Sequence, residues 1–134
     1  MSKQNLKFFM KMSFDSQKKY LLLNYKNIDY ADFEELDLRV GTVLTVNDFP
    51  QAIKPAYQLQ IDFGPLGKFD TSAQLTQTYN KEELEGRQVI AVLNLGSKKI
   101  ANFESQCLVL GAEANNEIIL LAPESKLPNG QQIL

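Results

Sequence analysis

From residue 38 onward, apolar and polar positions alternate with a period of two, the spacing of strands that bury one face. In "YQLQIDF" the alternation is unbroken: Tyr57, Leu59, Ile61 and Phe63 share one side and Gln58, Gln60 and Asp62 the other. "LRVGTVLTV" reads as a strand with Leu38, Val40, Thr42, Leu44 and Val46 inward. "KFDTSA" follows the Gly64-Pro65-Leu66-Gly67 turn as a third strand. "QVIAVLNL" is apolar at both parities, as a strand covered on both faces would be. "SQCLVLGA" and "EIILLA" read as two further strands. Two short helices interrupt. Asp32 is placed to cap a turn containing Phe33 and Leu36, with Glu35 at the capping-box position. Asn80 is placed to cap "KEELE", with Glu83 at the same relative position and Gly86 closing it.

The order is helix, three strands, helix, two strands and a tail with one more strand. Five strands with a helix between the third and fourth predict an all-β, five-stranded OB-fold, a small Greek-key barrel that closes on itself and so hides its edges. Gly41, inside the first strand, suits the sharp bend such a barrel needs.

Composition narrows the chemistry. The 134 residues suffice for one sizeable core. There is no histidine, which excludes Ser-His-Asp triads, Cys-His dyads and HExxH zinc sites. The single cysteine, Cys107, excludes an intrachain disulfide and a cysteine metal cluster, and its apolar setting predicts burial. The pairs Glu34-Glu35 and Glu82-Glu83 sit where they support helix N-termini, and "FGPLGK" lacks the spacing of a phosphate loop. The reading is a non-enzyme with no catalytic residue, no metal and no cofactor, and a lone thiol suits the cytoplasm. Arg39 is expected to form a structural ion pair.

The net charge of −2 is unevenly spread. Residues 1–25 carry five lysines against Asp15, a net of +4, and residues 26–134 carry a net of −6. The first 25 residues lack the unbroken apolar core of a signal peptide, and "YLLLNY" is too short to span a bilayer, so no membrane insertion is expected. Lys3, Lys7 and Lys11 recur at i+4, so a helix here has a basic stripe among Leu6, Phe8, Phe9, Met10, Met12 and Phe14. A docked or frayed extension and a membrane-surface helix are the two readings.

Several strings in order, "FEELDLRVGTV", "KPAYQLQIDFG", "TSAQLTQTYNKEELEGRQVIAVLNL", "FESQCLVLGA" and "LLAPESKLPNG", resemble the CsaA family. These are small homodimeric OB-fold proteins, described as secretion-related chaperones, which share the tRNA-binding domain of bacterial methionyl-tRNA synthetases. The resemblance runs from about Ile28 to Leu134. It implies an extension at 1–27, the barrel at 28–112 and a dimerisation tail at 113–134. It also implies a ligand face formed by Ser72, Ala73, Gln74, Asn94, Leu95, Lys98, Lys99, Phe103, Ser105 and Gln106. The family's loop ahead of that last string carries prolines, arginine and glycine. Here it reads Gly96-Ser97-Lys98-Lys99 with Asn102, so the planar fork of arginine is replaced by point charges. Ordinary roles compete for each residue: solvated turn lysines at Lys98 and Lys99, and a barrel lid at Phe103.

The run Ile118-Ile119-Leu120-Leu121 needs cover on two faces, of which its own barrel offers one. A homodimer through Phe33, Leu36, Ile118, Leu120, Leu127 and Ile133 is expected, in line with the family's pairing through both chain ends. The function implied is a chaperone that holds unfolded or pre-secretory polypeptides in a surface groove, with the export machinery as a further partner. Structure-specific tRNA binding is the alternative, and an accessory interaction module the second.

Overall fold

The computed structural model describes residues 3–134, apart from the side chains of Lys3 and Asn5. Part of the Lys3-Lys7-Lys11 stripe therefore lies outside the described residues. The chain forms two compact units, Met1–Phe33 and Glu34–Leu134.

In the first unit, helix α1 (Lys3–Met10) is followed by α2 (Phe14–Asn24), so the extension is helical as far as Asn24 of "YLLLNY". Ser13 caps α2 through its hydroxyl, which accepts from the Ser16 amide. The Phe9 and Tyr20 rings meet at 5.3 Å, and the Gln17 amide donates to the Phe9 carbonyl. Helix α3 is Tyr30–Glu34. It starts a turn ahead of the sequence-based expectation: the Asp32 amide donates to the Asp29 carbonyl, which puts Asp32 inside the helix and Glu35 and Leu36 beyond it.

The second unit is a nearly closed five-stranded antiparallel barrel with few short helices. Its strands are β1 (Leu38–Asp48), β2 (Tyr57–Asp62), β3 (Lys68–Ala73) and β4 (Gln88–Val92). The run "SQCLVLGA" is broken rather than continuous, because β6 (Phe103–Ser105), β7 (Leu108–Val109) and β8 (Gly111–Ala114) are separate pieces. Only β7 joins the main sheet, whose order is β3-β2-β1-β4-β7. Helix α4 (Lys81–Leu84) sits between β3 and β4 with the expected cap: Asn80 Oδ1 accepts from the Glu83 amide at 2.8 Å, and Glu83 Oε1 accepts from the Asn80 amide at 3.1 Å. It drops Leu84 fully into the core.

The first strand departs from its expected face. Val43, not Thr42 or Leu44, joins Val46 in the core, and Leu44 is exposed. Two features break the parity. The N-terminal half of β1 pairs with β4 and the C-terminal half with β2, the two pairings meeting at Thr42. The β1–β2 register then shifts between Val43 and Thr45, leaving Leu44 as the extra residue of a bulge. Gly41 lies at the bend: a Cβ there would come within 2.6 Å of the Phe63 ring and 2.7 Å of Ile61. The inward face of β2 is as read, with Leu59, Ile61 and Phe63 all but fully buried.

The tail takes the edge of β1 that β2 leaves open. The Gly130 amide donates to the Val40 carbonyl, the Val40 amide to the Gln131 carbonyl and the Ile133 amide to the Leu38 carbonyl. Ahead of it, β8 and β9 (Glu117–Leu120) form a separate hairpin, turned by Asn115 and Asn116 at positive φ. Its Leu120 is buried in the barrel's own core.

Candidate functional site

The outer edge of β3 is where the barrel would close, and side chains close it in place of a full backbone ladder. The Asp70 amide donates to Gln106 Oε1 at 2.8 Å, and the Gln106 amide donates to the Asp70 carbonyl at 2.7 Å. The Ser72 amide donates to Ser105 Oγ at 3.1 Å. Thr71, buried at this seam, donates its hydroxyl to the Cys107 carbonyl at 2.7 Å and lies 3.1 Å from Ser105 Oγ. Ser105 and Gln106, read from the sequence as ligand groups, therefore have their acceptors committed to main-chain amides. The same packing pushes the Cys107 thiol up to about 12, through burial, so it stays a neutral core group.

The basic pair is not on an irregular loop. Lys98 and Lys99 open strand β5 (Lys98–Ile100), which pairs with β6 in a hairpin turned at Ala101, a residue at positive φ. The register sets Lys98 opposite Ser105, Lys99 opposite Glu104 and Ile100 opposite Phe103. Adjacent strand residues point to opposite faces. Lys98 thus shares a face with Ser105 and Phe103, and Lys99 shares the other with Glu104, a carboxylate that offsets its charge. Phe103 is half-buried, its ring 5.4 Å from that of the buried Phe49. Lys98 and Phe103 share one face of the hairpin, and Lys99 is on the other.

Asn94 is a bracket. Its Oδ1 accepts from the Asp37 amide at 2.8 Å and its Nδ2 donates to the Glu35 carbonyl at 2.6 Å, pinning the entry of β1 to the exit of β4. Arg39 forms the expected ion pair, Nε to Asp37 Oδ1 at 2.6 Å, and also donates to the Gly130 carbonyl. Leu95, beside Gly96 at positive φ, is exposed.

Gln74 is exposed and lines a cleft of about 230 Å³ together with Lys54, Thr76, Gln77, Glu113 and Ile118. Ala73 ends β3 beside it, paired with Tyr57. The sequence reading missed Lys54 and its neighbour Ile53, which projects with no cover at all, 101% exposed. The available signal was an isoleucine and a lysine in "FPQAIKPA", a loop bounded by prolines where no strand or helix would bury them. Among the described residues, no group of three or more His, Cys, Asp or Glu side chains is placed to hold a metal ion.

The residues expected to pair two chains divide. Ile118 and Leu120 turn onto their own barrel, with the Leu120 amide donating to the Tyr79 hydroxyl and the Ile118 amide to Thr78 Oγ1. Alternation along β9 then leaves Ile119 and the following Leu121, not Leu120, exposed, at 48% and 47%. Leu127 exchanges two hydrogen bonds with the Gln88 side chain, and Ile133 is tied to β1. Leu36 is exposed, and Phe33 packs on Tyr30.

Residues 38–132 match the family model described as a putative tRNA binding domain. The solved chaperone CsaA of Bacillus anthracis is similar at 44% identity and a TM-score of 0.78, over 81% of this chain and 100% of that one. The CsaA chaperone of Picrophilus torridus is similar at 47% identity and a TM-score of 0.77, with the same coverage. Among curated relatives, the methionine–tRNA ligase of Thermococcus kodakarensis is 36% identical over 81% of this chain, and the chain spans 15% of that ligase's length.

Proposed function

Because the chain belongs to the tRNA-binding domain family, and to the part of it that includes the CsaA chaperones, we propose that it is a non-enzymatic, OB-fold, homodimeric chaperone. Its ligands are unfolded or pre-secretory polypeptides, held on the surface around Gln74, Lys98 and Phe103. In this reading residues 28–112 are the binding barrel, 113–134 contribute to dimerisation, and the export machinery in the cytoplasm receives the cargo. The observation that carries it is the make-up of that surface. The family's basic pair is divided between two faces with Glu104 beside one lysine, and residues 26–134 carry a net of −6. A phosphate backbone needs several cations on one face. An extended chain needs apolar contact and hydrogen-bonding groups, which Phe103, Ile53 and the amide-lined cleft supply.

Structure-specific tRNA binding is the second reading, favoured by the family model itself. A salt titration separates the two. Binding of an unfolded polypeptide is expected to change little with salt, whereas tRNA held through phosphates would show log K falling steeply with log salt. Tight tRNA binding with a steep slope, alongside no polypeptide binding, would reverse the order of the two readings.

A further inference from the structure

The two edges of the β8–β9 hairpin are treated differently by the rest of the chain. On the β9 side, the amides of Ile118 and Leu120 point away from β8 and are met by Thr78 Oγ1 and the Tyr79 hydroxyl. In an antiparallel pair, directly opposite residues turn their N–H and C=O groups either toward each other or both away. Glu113 lies opposite Ile118 and Gly111 opposite Leu120. Gly111 and Glu113 therefore present their N–H and C=O groups on the outer side of β8. Among the described residues the hairpin is a two-stranded sheet, with no third strand beside β8. All four residues of β8, Gly-Ala-Glu-Ala, are exposed. Natural edges are blunted with lysine, proline or a covering segment; this one carries small side chains and one glutamate.

We propose that this edge is the docking strand for the polypeptide ligand: an extended segment adds to β8 as a third strand, bonded main chain to main chain at Gly111 and Glu113. The inference rests on the polypeptide-binding reading above and names how the segment is held. Main-chain pairing is independent of sequence, which suits a ligand defined by being unfolded. Side chains of the added strand alternate. The Ala112–Ala114 face also carries Ile119, opposite Ala112, so large apolar groups of the added strand lie over the small residues of β8, along the margin of the surface that a second copy would cover. On the Gly111–Glu113 face lies the cleft that Glu113 shares with Gln74 and Gln77. Lys54 stands in that cleft beside Glu113, so the two charges offset each other, and the fitting segment is selected by being extended and alternately apolar and polar rather than by its charge.

The test uses the full chain and a soluble peptide of about eight residues, alternating valine with lysine, next to a twin N-methylated at every backbone nitrogen. Glu113→Pro removes an N–H that points outward and leaves the β8–β9 ladder intact; Glu113→Gln keeps that N–H. The parent and Glu113→Gln are expected to bind the unmodified peptide. Glu113→Pro, and the N-methylated twin on the parent, should each be weaker on the order of tenfold. If Glu113→Pro fails to fold, the twin still decides, since it leaves the protein unchanged. Equal binding of the twin, or full binding by folded Glu113→Pro, overturns the edge while leaving the polypeptide reading standing. No binding of the unmodified peptide to the parent overturns both. A parent dimer that Glu113→Pro converts to monomer assigns the edge to a second copy and overturns the proposal.

Discussion

Lys98 and Lys99 are neighbours in sequence that face opposite sides of β5, and the difference is measurable. Lys98 shares its face with Phe103 and Ser105, while Lys99 shares the other with Glu104. Charge reversal at Lys98 should weaken capture of an anionic ligand, tRNA at low salt included, several-fold more than reversal at Lys99. Each should move stability by no more than about 0.5 kcal/mol, as exposed substitutions do. Gel shifts of Lys98→Glu and Lys99→Glu check this, and equal losses would mean the pair acts as one patch. At Cys107 the sign of a pH effect follows from burial. Its folded value, about 12, lies above the ordinary thiol value of 9.0. The folded state holds the proton longer, so this contribution to stability is complete below about pH 9 and lost as pH rises toward 12. Melting curves across that window should fall more steeply for the parent than for Cys107→Ala, and native-state alkylation of the thiol should be slow at neutral pH.

Strands and helices differ in how openly the chain states them. Asn80 and Glu83 lie within one turn of each other, with Gly86 just past the helix, so the cap of α4 was legible. The alternation in β2 was legible too, because that strand keeps one register with β3 along its length, and the extra residue of the β1–β2 bulge lies in β1. In β1 the same reading failed at Thr42 and Leu44. A strand that changes partner at a bend and then bulges has two breaks in parity, and both are set by the register of its neighbours. The β5–β6 hairpin was illegible for a related reason: it is short, charged and turned by Ala101 rather than glycine. The site suffered most. Asn94, Ser105 and Gln106 were placed on a ligand face by the family resemblance, and the amides they bond instead are dozens of residues away in sequence. Gly41 tests the bend itself. Gly41→Ala puts a methyl against Phe63 and Ile61, and this overpacking should cost about 1–3 kcal/mol in denaturant unfolding. Phe63→Ala empties the same place and should cost about 3–5 kcal/mol. A Gly41→Ala variant as stable as the parent would mean that the bend yields freely.

For the molecule as a whole the open question is a second copy of the chain. Deleting residues 113–134 looks like the direct test of the proposed dimer, but it would mislead. That segment puts Leu120 into the core and hydrogen-bonds Leu38, Val40 and Gln88 through Leu127, Gly130, Gln131 and Ile133. Its loss would injure the barrel whether or not two chains pair. The residues that separate the two roles are Ile119 and Leu121, exposed beside a buried Leu120 on the same run. Ile119→Lys with Leu121→Lys adds charge to the outward face and leaves the inward one alone. A two-fold interface sets a patch against its own copy, so each substitution acts twice. A lasting dimer buries upwards of about 1,200 Å², and four lysines at such a surface should abolish it. Light scattering at micromolar concentration is expected to give about twice the 15.2 kDa chain mass for the parent and one chain mass for the double variant. Their melting temperatures, measured below the concentration at which the parent pairs, should agree closely, since both substitutions lie on the exposed face. A parent that already scatters as one chain overturns the dimer. A double variant that still scatters as two moves the interface away from β9, toward exposed residues such as Leu36.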